Sequence, residues 1–184
     1  MFDLIIIIIM SLSLNQDPVS ANYRFDLPAM DGSAKVTLHQ NRDTYTLTYS
    51  AAAYFGMMKL NSFSVINKNP LKPLSIETEF NGPFNNYTGG TLFKDSLAVY
   101  YKNTDSNYVQ GKYPVNDWII LPFFLSLKDD SIYRCTLLQT DAVFTKTLSS
   151  DTIIWQDSLS NTVIKIYDNV PFYMKSDNLT LIKE

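Results

Sequence analysis

Histidine and cysteine are almost missing: the 184 residues hold one of each, His39 and Cys135. A single cysteine cannot close an intrachain disulfide, so the fold must rest on its core. One histidine and one cysteine also fall short of a zinc ligand set, so no metal is expected. A Ser-His-Asp triad would have to recruit His39, but no G-x-S-x-G or comparable elbow presents a nucleophile. His39 instead falls on the polar face of an alternating segment, and Cys135 reads as a buried, inert thiol. Glycine is scarce too, with six in the chain, and no Gly-rich phosphate loop can be drawn. Nor is there an excess of one charge. Fifteen Lys plus Arg stand against 18 Asp plus Glu, a net charge of −3. That leaves no basic face for nucleic acid and no polybasic patch for a membrane surface. Glu77 and Glu79 alternate onto one strand face, which is far commoner as a solvated surface than as a glycosidase pair. The expectation is a protein that is not an enzyme, with no catalytic residue and no cofactor.

What is present is aromatic and alternating. Aromatic residues make up 14% of the chain, with 12 Tyr and 11 Phe, a composition that favours strands. KVTLHQ puts Val36 and Leu38 on one face, and TYTLTYS puts Tyr45, Leu47 and Tyr49 on one face. The NRD between them turns the chain, giving a β-hairpin. LSIETEF alternates again, NGPFNNYTGG reads as a loop, and TLFKDSLAVYY as a hairpin turning at residues 94–96. NYVQGKY, SIYRCTLLQT, AVFTKTL, TIIWQD, TVIKIYD and LTLIKE follow, bounded by Asp, Ser and Asn. The spacing implies about ten to twelve strands in an all-β protein. Short connections make neighbours antiparallel.

The N-terminal stretch differs. Leu4 to Leu14 is apolar, and Val19 and Ala21 follow at the −3 and −1 positions of a cut after Ala21. Residues 1–21 are therefore expected to be a signal peptide, although Asp3 stands where a cation is usual. The run is shorter than the roughly 20 residues of a membrane span. Residues 22–184 then form one all-β domain, exported to the periplasm or beyond and not membrane-spanning once processed. Losing Asp3 and Asp17 would bring the net charge to −1.

Two segments break the alternation: AAAYFGMMKL, residues 51–60, and DWIILPFFLSL, residues 117–127. Proline suits the first turn of a helix, so Pro122 allows a short helix near 117–130, capped by Asn116 or Asp117. A curled sheet must cover its concave side, and such a helix can plug it. Alternatively, both segments form the lips of a ligand groove.

Three stretches resemble an uncharacterised family of exported bacterial β-proteins, a domain of unknown function. They are the opening strand and hairpin with Tyr23, Phe25, Leu27 and Gly32, then NDWIILPFFLSL with Asp117, then the closing strands from IIWQD to the end. The last is also similar to the lipoprotein-carrier proteins of the periplasm and outer membrane. The resemblance implies an antiparallel, strongly curved sheet forming an unclosed barrel or sandwich. It implies a concave apolar face with a helical lid carrying Trp118, Phe123 and Phe124, and a rim of Tyr54, Phe55, Met57 and Met58. The expected ligand is lipid or another hydrophobic molecule. The alternative is a structural protein of the envelope that binds a protein partner through a sheet edge.

Overall fold

The computed structural model describes residues 17–184, apart from 28–29, 138–139, 158 and 178. The expected signal segment thus lies largely outside the described residues. Fifteen strands form a single sheet, more than the ten to twelve expected. In chain order they are β1 (Val19–Leu27), β2 (Met30–Gln40), β3 (Thr44–Ala53), β4 (Met58–Lys68), β5 (Leu71–Asn81), β6 (Asn86–Lys94), β7 (Leu97–Lys102) and β8 (Asp105–Gln110). Then come β9 (Val115–Asn116), β10 (Ile132–Leu137), β11 (Thr140–Ser149), β12 (Thr152–Asp157), β13 (Thr162–Tyr167), β14 (Val170–Lys175) and β15 (Thr180–Lys183). A short helix, α1 (Leu121–Ser126), lies between β9 and β10.

The strands follow from alternation. In β1, Ala21, Tyr23 and Phe25 are buried while Asn22, Arg24 and Asp26 are exposed; in β13, Thr162, Ile164 and Ile166 are buried. Tight turns carry left-handed residues that Asn and Asp tolerate, as at Asn103 and at Asp168-Asn169, whose φ values are 49° and 58°. The hairpin of β2 and β3 pairs Val36 with Tyr49 and Leu38 with Leu47, so the expected faces coincide.

The sheet runs β8-β7-β6-β5-β4-β3-β2-β1-β15-β14-β13-β12-β11-β10-β9. Two arrays of consecutive hairpins therefore meet at one joint, where β1 pairs with β15 (Tyr23 with Lys183, Phe25 with Leu181). Neighbours are antiparallel except β9 and β10, which are parallel, a departure from the expected all-antiparallel sheet. The two edges, β8 and β9, face one another across an unsealed seam. Among the described residues, one backbone bond crosses it, from the Val115 amide to the Asp95 carbonyl at 2.7 Å. Beside it, the Gly111 amide donates to the Ser96 carbonyl and prolongs the β7–β8 pairing, and the Thr136 amide donates to the Pro114 carbonyl and prolongs β9–β10. Gly111 is required there, because a Cβ would overlap the Thr136 hydroxyl.

The helix is a plug. All six residues of α1 are buried. Phe123 meets Tyr23 edge-on, with ring centroids 6.1 Å apart, and Phe124 lies 5.2 Å from the Tyr133 ring. The Leu121 amide bonds the Asp117 carbonyl at 2.9 Å, and Asp117 Oδ1 accepts from the Ile119 amide at 2.9 Å. Trp155, Phe144, Ile164 and Ile166 complete the core beneath it.

Candidate functional site at the seam

The seven residues expected to line a groove are not brought together. Phe123 and Phe124 are 5% and 1% exposed and belong to the core; Phe124 also reaches a small cavity of about 230 Å³ near the β4–β5 turn. Tyr54, Met57 and Met58 line a different cavity of about 460 Å³ at one end of the barrel, with Phe80, Pro83 and Phe84. Phe80 is stacked on Tyr87 there, with centroids 5.2 Å apart. Phe55, at the tip of that turn, is fully exposed with φ of 57°, between Tyr54 and Gly56, which are also left-handed. Two aromatic residues in that conformation are uncommon and strained.

Trp118 is elsewhere. It is half-buried at the seam and lines a cavity of about 670 Å³. On one side stand Tyr100 of β7 and Val109 of β8; on the other, Leu137 of β10 and Thr140 of β11. Leu159, Ser160 and Asp177 form the outer rim. Topology builds this site, since the walls come from the two ends of the sheet order. Alternation shows that Ala98 and Tyr100 share a face, but not that β8 has no next neighbour. The sequence therefore pointed to Trp118 and missed Tyr100, Val109 and Leu137.

The local electrostatics are those of a partly dry site. Burial pushes the Asp117 carboxyl above its ordinary range, against the bond from the Ile119 amide that favours its charged form. Burial, then the nearby Asp117 charge, raises the Tyr100 phenol to about 12. Cys135 lies on the inner side of β10, fully buried, and burial followed by the charges of Asp157 and Asp141 lifts its thiol to about 12.

The other residues of interest stand apart from the seam. Glu77 and Glu79 lie on the outer face of β5 in a broad groove of about 690 Å³ that also contains Lys35, Phe63 and Tyr101. His39 is half-buried near the end of β2. Among the described residues, no three His, Cys, Asp or Glu side chains are grouped to hold a metal, and no helix is long and apolar enough to cross a membrane.

Curled sheet, free seam and plugging helix define a barrel-like all-β protein whose barrel is not sealed by hydrogen bonds. No family model and no curated protein matches the chain by sequence. In structure it is similar to a crystal structure of a beta-barrel-like protein of the domain of unknown function DUF1849 from Brucella abortus. The TM-score is 0.53 at 10% identity, over 94% of this chain and 97% of that one. The likeness is one of fold.

Proposed function

We propose that the protein is a non-enzymatic binder or carrier of a hydrophobic molecule, such as lipid, that works in the cell envelope after export. The observation that carries this reading is the seam cavity. Its volume of about 670 Å³ lies within the roughly 300–1,000 Å³ usual for small-molecule sites. Its walls are mainly Tyr100, Val109, Trp118 and Leu137, and its opening lies between two sheet edges rather than through a sealed wall. Burial of apolar ligand surface there would supply the driving force.

Export is argued from residues 4–14. Val19, Ser20 and Ala21 pair with Leu38, Thr37 and Val36, and Ala21 is buried. A cut after Ala21 would strip these pairs from the sheet, so the proposed cut falls before Val19.

Native mass spectrometry of the protein purified from an exporting host tests both parts. A co-purifying lipid that disappears in Trp118→Ala is the expected result. A bare protein mass, with no uptake from offered lipid extract, would refute ligand binding. The same spectrum reads the mature N-terminus.

One observation favours a second reading. β8 is an edge strand whose residues Asp105 to Tyr108 are exposed, the arrangement by which an extended partner segment adds to a sheet. Specific capture of an envelope protein, abolished by Ser106→Pro, would support that reading in place of the first.

A further inference from the structure

The two ends of the barrel differ in what their turns carry. Consecutive hairpins place the β3–β4, β5–β6 and β7–β8 turns at one end, with the β12–β13 and β14–β15 turns of the other array. At the opposite end the turns are charged: Arg42 and Asp43 follow β2, Asp95 follows β6, Asp151 follows β11 and Asp168 follows β13. At the first end the β3–β4 turn reads Tyr54-Phe55-Gly56-Met57 and the β5–β6 turn reads Gly82-Pro83-Phe84-Asn85, with no charged residue in either. Phe55 and Phe84 are fully exposed and Met57 is largely so. The two turns join paired strands and share the apolar cavity of about 460 Å³. A lone exposed apolar side chain is ordinary surface. Here two phenylalanines and a methionine stand on neighbouring tips.

Phe55 is held out at a cost. Tyr54, Phe55 and Gly56 have φ of 49°, 57° and 83° in succession. The strain is not offset by burial, since the Phe55 ring stays in solvent, and strain of this kind persists where it serves a site.

Shape and charge say what covers these tips. A protein partner would need a separate pocket for each ring and a polar rim around them. The two turns supply no charged rim, and their rings stand on protruding tips rather than in a groove. A bilayer accepts protruding apolar side chains without matching pockets, and aromatic residues settle in its interfacial zone. The same end holds the mouth of the seam cavity. Leu159 and Ser160 of the β12–β13 turn and Asp177 of the β14–β15 turn form its rim, and Leu159 is itself exposed.

We propose that this end of the barrel docks on the surface of a lipid bilayer, with Phe55, Met57 and Phe84 inserted and the mouth of the seam cavity turned toward the membrane. The docking stands on the two turns; its use, exchange of a hydrophobic cargo through the seam mouth, rests on the ligand-binding reading.

The test is co-sedimentation of the protein, recovered from an exporting host, with sucrose-loaded vesicles of uncharged phosphatidylcholine. Binding should change by no more than roughly twofold between about 0.1 and about 0.5 M salt, because apolar insertion and not charge carries it. Phe55→Ser and Phe84→Ser should each weaken it about three- to tenfold, and the pair by at least about tenfold. Tyr167→Ser, an exposed aromatic at the charged end, should leave it unchanged. All these rings are exposed, so the urea midpoints of the variants should match wild type. Binding that needs anionic lipid and is lost in high salt, or that is undiminished in the double variant, overturns the inference. Absence of vesicle binding overturns it as well, and leaves the ligand-binding reading to the co-purified lipid. Vesicle binding by a protein that carries no lipid keeps the docking and removes the cargo. A dimer in sedimentation velocity without vesicles, dissociated by the same two substitutions, would mean that the tips meet a second copy of the chain, and the inference falls.

Discussion

Truncating Phe124 to alanine separates core from groove lip. Phe124 is 1% exposed in α1, against Tyr133 and beneath the Lys128 ammonium 5.7 Å from its ring. A buried phenylalanine covers at least about 150 Å², which at 25 cal/mol per Å² is roughly 4 kcal/mol. Alanine recovers a small part of this, and the void left behind adds a cavity penalty, so the expected loss is about 3–5 kcal/mol. With a urea slope near 2 kcal/mol per M, the unfolding midpoint should fall by roughly 1.5–2.5 M with the slope unchanged. Phe55→Ala is the internal control. That ring is fully exposed, so its removal should move stability by no more than about 0.5 kcal/mol. Equilibrium urea unfolding followed by far-ultraviolet circular dichroism reads both. A Phe124→Ala midpoint within about 0.5 M of wild type, below roughly 1 kcal/mol at that slope, would refute the plug and return α1 to the role of a groove lip.

Three further outcomes are expected. Asp117 has a folded pKa above its unfolded value of about 3.9, so the folded state holds the proton more tightly and stability is lost as pH rises through that window. Asp117→Asn should thus match wild type near pH 3 and be the more stable protein at pH 7 in paired urea titrations; an advantage that does not grow with pH would contradict the argument. The Cys135 thiol, buried and lifted to about 12, should resist a thiol-reactive disulfide reagent at pH 8 until denaturant is added, then react once; rapid labelling of the native protein would disprove its burial. Gly111→Val places branched carbons on Thr136, so the seam stitch should loosen at a cost of about 1–3 kcal/mol, the scale of overpacking. Faster hydrogen exchange at the Gly111 and Val115 amides, with the β2–β3 amides unchanged, is the signature to look for.

Much of the sheet was legible because one face of each strand is buried. Val36 and Leu38 opposite Tyr49 and Leu47 show this directly. The strands that escaped notice are those where apolar residues do not alternate cleanly. AAAYFGMMKL spans the end of β3, a left-handed turn and the start of β4, so three elements read as one apolar break. NGPFNNYTGG looked like a loop, yet Asn86 to Gly90 pair with β5. Gly90 is admissible there because the Ile76 carbonyl and the Tyr101 ring leave no room for a Cβ. Pro171 hid β14, although a proline near a strand start is tolerated. The parallel pairing of β9 depends on two residues, too few to carry a pattern. The seam site was legible only at Trp118, because local sequence says which way Tyr100 and Val109 point but not which strand ends the sheet.

The joint between β1 and β15 also orders events in time. Each array of hairpins is made of neighbours in sequence and can form from local contacts, which are quick to find. Phe25 must wait for Leu181, and Tyr23 for Lys183. Until the last strand is available, Ala21, Tyr23 and Phe25 can be covered from the β2 side alone, and the two half-sheets remain unjoined. A chain that loses Thr180 to Lys183 therefore loses more than a short strand. It loses the ladder between its halves, so β1 and β14 become bare edges and, among the described residues, only the α1 plug, the Tyr23–Pro171 bond and the Val115–Asp95 bond still join the two arrays.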